Sequence, residues 1–179
     1  MPFVKHRFSE HNISPRTEIL IIGTFNPETP NNSADFFYGR KRNYLWQLLP
    51  AAFGHDSLKS KSIEEKKNFL SKYFIDFVDL ICEVDVEEGH ESNYEDKYID
   101  SRITKWKNVV DAIKELKYLK RVAFTRKTLT GIPKISKMIL EVKQYCDETG
   151  ISFQFLMTPA RTYSAFKQNL WTDFFINGK

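Results

Sequence analysis

The run Glu18-Ile-Leu-Ile-Ile-Gly-Thr24 constrains this chain most. Four consecutive branched aliphatic side chains, Ile19 to Ile22, leave no polar face, so a strand built from them has to be covered on both sides. That is the pattern of a central strand in a parallel sheet. Three further segments read as strands: Phe77-Val-Asp-Leu-Ile-Cys82, Arg121-Val-Ala-Phe-Thr125 and Ser152-Phe-Gln-Phe-Leu-Met157. Helical spacing fills the intervals between them. Leu45, Leu48 and Leu49 recur within 43–53, and Ser62-Ile-Glu-Glu65 has the form of a capping box ahead of Leu70, Tyr73 and Phe74. Ile103, Trp106, Val109, Val110, Ile113 and Leu116 predict one amphipathic helix over 102–118. Ile135, Met138, Ile139 and Val142 predict another, opened near Pro133 and closed at Gly150, and Phe166, Leu170 and Phe174 a last one.

Strand and helix therefore alternate, which predicts the α/β class: a three-layer α/β/α sandwich around a central, mostly parallel four-stranded sheet. The length, 179 residues, suits one hydrophobic core, and no internal repeat or linker divides 1–179. No segment approaches the length of an apolar membrane span, and Pro2 and Lys5 to Arg7 stand where an apolar signal region would begin. Two cysteines, Cys82 and Cys146, are too few for a disulfide scaffold, so a reduced, cytoplasmic chain is expected. No coiled-coil pattern or partner motif marks an oligomer, and a monomer is expected.

In open parallel sheets, ligands sit beyond the carboxyl ends of the strands, where the following loops meet. Here those loops hold the chemistry. The first contains Gly23-Thr-Phe-Asn-Pro27 and Phe36-Phe-Tyr-Gly39, the second Gly89-His-Glu-Ser-Asn93, and the last Thr158-Pro-Ala-Arg161. A formal charge of +4 tolerates a polyanion, and Arg40-Lys-Arg42, Lys105, Lys107, Arg126 and Lys127 place positive charge near these loops. The four histidines, His6, His11, His55 and His90, lack metal-ligand spacing.

These residues give the chain a resemblance. An apolar strand, then Gly, an Asn-Pro pair, an aromatic loop and Asn-aromatic-x-Trp, here Ile21 to Trp46, is similar to the uracil-DNA glycosylase superfamily, in its mismatch-specific uracil/thymine branch. Phe37-Tyr-Gly-Arg-Lys-Arg-Asn43 resembles the hypoxanthine-type branch, which lacks the Asn-Pro pair. One departure is that two residues, not one, separate Gly23 from Asn26. The His that opens the last motif in the main uracil-specific branch is absent at Thr158-Pro-Ala-Arg161.

The resemblance implies a DNA glycosylase that needs no metal or redox cofactor and takes DNA carrying a damaged or mispaired base as its partner. It implies Asn26, or by the rival motif Asn43, as the amide that positions the attacking water. It further implies Tyr38, with Phe37 beside it, as the ring that stacks on the flipped base. Ser92 and Asn93 become base or phosphate contacts, Arg40 and Arg42 phosphate contacts, and Arg161 the wedge that enters the duplex.

The residue types suit such chemistry. A base within a duplex has to be rotated out before its glycosidic carbon can be reached, and a stacked ring recovers about 1–3 kcal/mol of the cost. A neutral amide is no general base, but its carbonyl oxygen can orient water and favour a developing sugar cation. Bland alternatives stand beside each assignment: Asn26 as an Asn-Pro turn, Asn43 as a helix N-cap, and the aromatics as caps on the core. At the level of function, the alternative is a catalytically weak member of the fold that binds nucleic acid or a nucleotide without turnover. The glycosylase reading requires Asn26 and Tyr38 to face a common cavity.

Overall fold

The computed structural model describes residues 2–178. Strand β2 (Ile19–Gly23) is buried along its whole length and lies at the interior of a four-stranded sheet. Strand β3 (Ile75–Asp79) runs parallel to it on one side, in the register Ile19 to Ile75 and Gly23 to Asp79. On the other side β6 (Arg121–Phe124) and then β7 (Ser152–Phe155) continue the sheet, again in parallel, giving the order β3-β2-β6-β7. The sheet is entirely parallel, with the sandwich architecture that the alternating pattern predicts.

The two faces of β2 divide the core. Leu20 and Ile22 pack, with Val78, Val122 and Phe124, against α4 (Val109–Lys114) and α5 (Pro133–Thr149). Ile19 and Ile21 pack, with Ile75, Phe77 and Ala123, against α1 (Leu45–Ala52), α2 (Ile63–Tyr73) and α6 (Ala165–Thr172), which runs into a π-helical turn at Asp173–Asn177. This is the period-two alternation of a strand read from both sides, and each fully buried aliphatic side chain contributes about 1.5–3 kcal/mol. The helix ends follow their local signals. Ser62 and Glu65 close the capping box of α2, and α5 begins at Pro133 and ends on Gly150 in a left-handed conformation (φ 74°).

Two expectations change. The apolar run at 77–82 is two strands: β3 stops at Asp79 and, after Leu80, β4 (Ile81–Asp85) leaves for a second sheet. That sheet is antiparallel, in the order β1-β4-β5, with β1 at Phe3–Lys5. The predicted helix over 102–118 splits: Ile103–Trp106 is strand β5, and α4 begins only at Val109, after Asn108 caps it by accepting from the Asp111 amide at 3.2 Å. Ile103 and Trp106 keep their inward apolar role in either structure, which is why spacing alone misassigned them. No helix is long and apolar enough to cross a membrane among the described residues.

Candidate functional site

The site begins where β2 runs out. Past Gly23 the chain turns, and the Asn26–Pro27 segment is laced to the N-terminal segment: Arg7 N donates to Asn26 O (2.8 Å), Glu28 N donates to Lys5 O (2.8 Å), and His6 bridges Pro27. Asn26 is buried, and its side-chain oxygen accepts from Asn32 Nδ2 (2.6 Å) and Arg40 Nη2 (3.0 Å). A guanidinium can only donate, so the atom facing Arg40 is the carbonyl oxygen and the orientation of the amide is fixed. Asn32 Nδ2 also donates to Pro27 O (2.6 Å), which holds the turn closed.

Asp79 ends β3 directly beside Gly23. Its Oδ2 lies 2.7 Å from His6 Nε2, with both side chains almost wholly buried. Phe8 N donates to His6 Nδ1 (3.0 Å), so Nδ1 is the acceptor nitrogen and Nε2 carries the proton given to Asp79. Gly23 makes this approach possible. A Cβ there would collide with the Asp79 carboxylate and stand 2.8 Å from the Tyr38 hydroxyl.

Tyr38 adopts a left-handed conformation (φ 56°), and its ring meets Phe77 edge-on at 5.3 Å. Its hydroxyl is buried without a hydrogen-bond partner, near Asp79 and Thr125. The Thr125 hydroxyl donates instead to Ile22 O at 3.3 Å. Burial first, and then the Asp79 charge, push the phenol well above the usual tyrosine range. Arg40 is half-buried, with its guanidinium 3.5 Å from the centre of the Tyr94 ring. Burial lowers its affinity for a proton, and Tyr94 and then Asp79 partly restore it.

The loop after β7 joins this rim. Asn43 pairs with Ala160, Tyr44 N donates to Pro159 O (2.9 Å), and Arg161 N donates to Arg42 O (2.8 Å). Lys167, buried at the start of α6, braces the tip from below by donating to Ala160 O (3.1 Å) and Thr162 O (2.6 Å). Arg161 is exposed there with φ 75°, and Arg42 is exposed beside it.

The predicted residues thus separate. Asn26, Tyr38 and Arg40 gather at the carboxyl edge of the sheet around Gly23 and Asp79. Asn43 lies on the neighbouring bridge, and its side-chain oxygen accepts from Leu45 N (3.0 Å), a helix-starting role for α1. Phe37 is corrected: its ring is packed among His6, Phe8, His11, Phe36 and Phe77, buried on all sides, and has no face to offer a base. Phe36 is buried with it. Ser92 reaches the first loop through Thr29, its hydroxyl 3.3 Å from Thr29 Oγ1, while Asn93 accepts from Glu95 N (3.0 Å) within its own loop. His90 stacks on Tyr98 at 5.4 Å.

Sequence reasoning missed His6, Asn32, Asp79 and Tyr94. Asp79 carried a signal, a charge closing an apolar run next to a glycine-ended strand. His6 carried none, since its partner is 73 residues away. No three His, Cys, Asp or Glu side chains gather to hold a metal among the described residues. A slot of about 20 Å³ beside His6, Phe37 and Asp79 has room for one water, and a cleft of about 330 Å³ lies between α4 and α5. Neither is lined by Asn26 or Tyr38; the Asn26 side-chain oxygen is covered instead by Asn32 and Arg40.

No protein-family model matches this chain, and no curated protein matches it. Among solved structures it is similar to the solution NMR structure of a "putative Uracil DNA glycosylase" from Methanosarcina acetivorans, with a TM-score of 0.62, 19% identity and 92% of each chain covered. The two chains share a fold.

Proposed function

We propose that the protein hydrolyses the N-glycosidic bond of a deaminated base turned out of DNA, at the rim formed by Asn26, Tyr38, Asp79 and Arg40. The observation that carries this reading is the buried Asn26 amide directly after β2, its oxygen fixed in direction by two donors. The fold shared with the Methanosarcina protein, and the name that protein bears, support the same reaction class.

In this mechanism Asn26 Oδ1 holds the attacking water and its partial negative charge favours the sugar cation that forms as the bond breaks. The Asp79 carboxylate, oriented by the His6 Nε2 donor, adds to the same field. The Tyr38 phenol, pushed well above the usual tyrosine range by burial and then by the Asp79 charge, keeps its proton beside Thr125 and is suited to donate it to an oxygen of the departing base. Arg42 and Arg161, exposed on the bridged tips, face the phosphates and the vacated stack.

Duplexes carrying uracil, hypoxanthine, xanthine or mispaired thymine, treated with alkali after incubation, test the reading. Strand scission by the wild type, lost in Asn26→Ala and kept in Asn43→Ala, is the expected result. Loss only in Asn43→Ala would reverse the two roles. The Arg40–Asn26 hydrogen bond favours one second reading, a protein that binds such DNA without turnover. Its mark would be tight binding with no base released from any substrate.

A further inference from the structure

We propose that Arg40 is a substrate-operated latch: its guanidinium covers Asn26 until a backbone phosphate of a nucleic-acid chain draws it away and exposes the amide. The proposal rests on the glycosylase reading for the identity of the site and adds how that site is opened and what class of ligand opens it. A nucleotide within a phosphodiester chain would open the site, and a free nucleoside would not.

Four observations lead to it. Arg40 Nη2 donates to the atom the reaction needs, Asn26 Oδ1, at 3.0 Å. Asn32 holds the same oxygen independently, so Asn26 keeps its orientation when Arg40 leaves. Arg40 is half-buried, yet among the described residues no Asp or Glu oxygen lies within ion-pair distance of it, and its neighbours are a neutral amide and the face of Tyr94. The Asp79 charge reaches a cation so placed only through space, and a phosphate offers a direct, bidentate partner stronger than a neutral carbonyl. Finally, Tyr94 stands exposed over the guanidinium, on the loop after β4, so the latch is roofed by a ring rather than locked by packing.

A site that opens only when phosphate arrives excludes a free nucleoside, which carries none. Arg40 is here a positioning residue, acting through Asn26.

Nitrogen-15 NMR of the full chain tests this, following the Asn26 side-chain amide, assigned with Asn26→Asp, and the Arg40 Nε–H. The probe is a short duplex containing a tetrahydrofuran abasic analogue, with deoxyuridine as the phosphate-free control. In the wild type both resonances should move together on adding duplex and stay in place with deoxyuridine. In Arg40→Ala the Asn26 resonance of the free protein should already lie near its DNA-bound position, and the slope of log K against log salt should fall by about one. Arg40→Lys should keep the slope but not the Asn26 resonance position, since an ammonium cannot hold amide and phosphate in the same geometry. DNA that binds while the Asn26 resonance stays still, or an Arg40→Ala spectrum with that resonance unmoved, would overturn the latch and leave the glycosylase reading standing. A duplex that binds neither protein would remove both.

Discussion

The loop that leaves β2 and the loop that leaves β4 carry similar side chains, with Asn, Thr or Ser, and charged groups in each, but they satisfy them in opposite ways. Around the first, His6 reaches Asp79 across 73 residues, and Arg40 and Asn32, 14 and 6 residues on, converge on the buried Asn26. In the second, Gly89 N donates to Glu91, Asn93 accepts from Glu95 N, and His90 N donates to Glu87 O within a few residues, while Ser92 reaches Thr29 Oγ1 across 63. Local satisfaction shapes a turn. Distant satisfaction fixes a geometry, because each hydrogen bond is also a constraint between separate elements, and it is made where water is excluded and bonds are stronger. The first loop is thereby tied to several elements, and the second lies over it, contributing Tyr94 against Arg40.

Five substitutions test that contrast. Phe37→Ala, emptying the packed base of the first loop, should cost about 3–5 kcal/mol in urea unfolding; a stable variant that had lost only DNA binding would return Phe37 to a stacking role. Asp79→Ala removes the acceptor of a buried His6 donor and should cost about 2–3 kcal/mol, measured in the same way. Its loss without effect would mean that the long-range bonds do not hold the rim together. Asn26→Ala should reduce base release on the order of a hundredfold while lowering the melting temperature only slightly. Equal losses of activity and stability would make Asn26 a turn residue. Ser92→Ala and Asn93→Ala, in the loop after β4, should each stay within about 0.5 kcal/mol of wild-type stability and leave turnover nearly intact. A large effect from either would erase the distinction between the loops.

The sheet was legible because its determinants are local. Ile19 to Ile22, the Ser62–Glu65 capping box and the Pro133–Gly150 limits of α5 each state their structure within a few residues. The errors arose where one pattern serves two structures. The run Phe77 to Cys82 carries only Asp79 as a charge, although the chain changes sheets at Leu80, and Ile103 and Trp106 face inward whether in strand or helix. At the site, Asn26 and Tyr38 were readable as loop residues after a buried strand. Asp79, His6 and Lys167 were not, since their meaning lies in what they touch: a carboxylate against Gly23, an imidazole oriented by Phe8 N, and an ammonium under the Ala160 carbonyl. Phe37 failed in the same way, its neighbour Tyr38 turning one way and Phe37 the other.

The pairings that finish the rim span nearly the whole chain. His6 waits for Asp79, and Asn43 waits for Ala160, close to the last helix. On a ribosome emerging amino end first, the strands β2, β3 and β6 can associate while the tip that braces Arg42 is still being translated. The partly made protein would then have its scaffold while the Asn43–Ala160 bridge is still unmade.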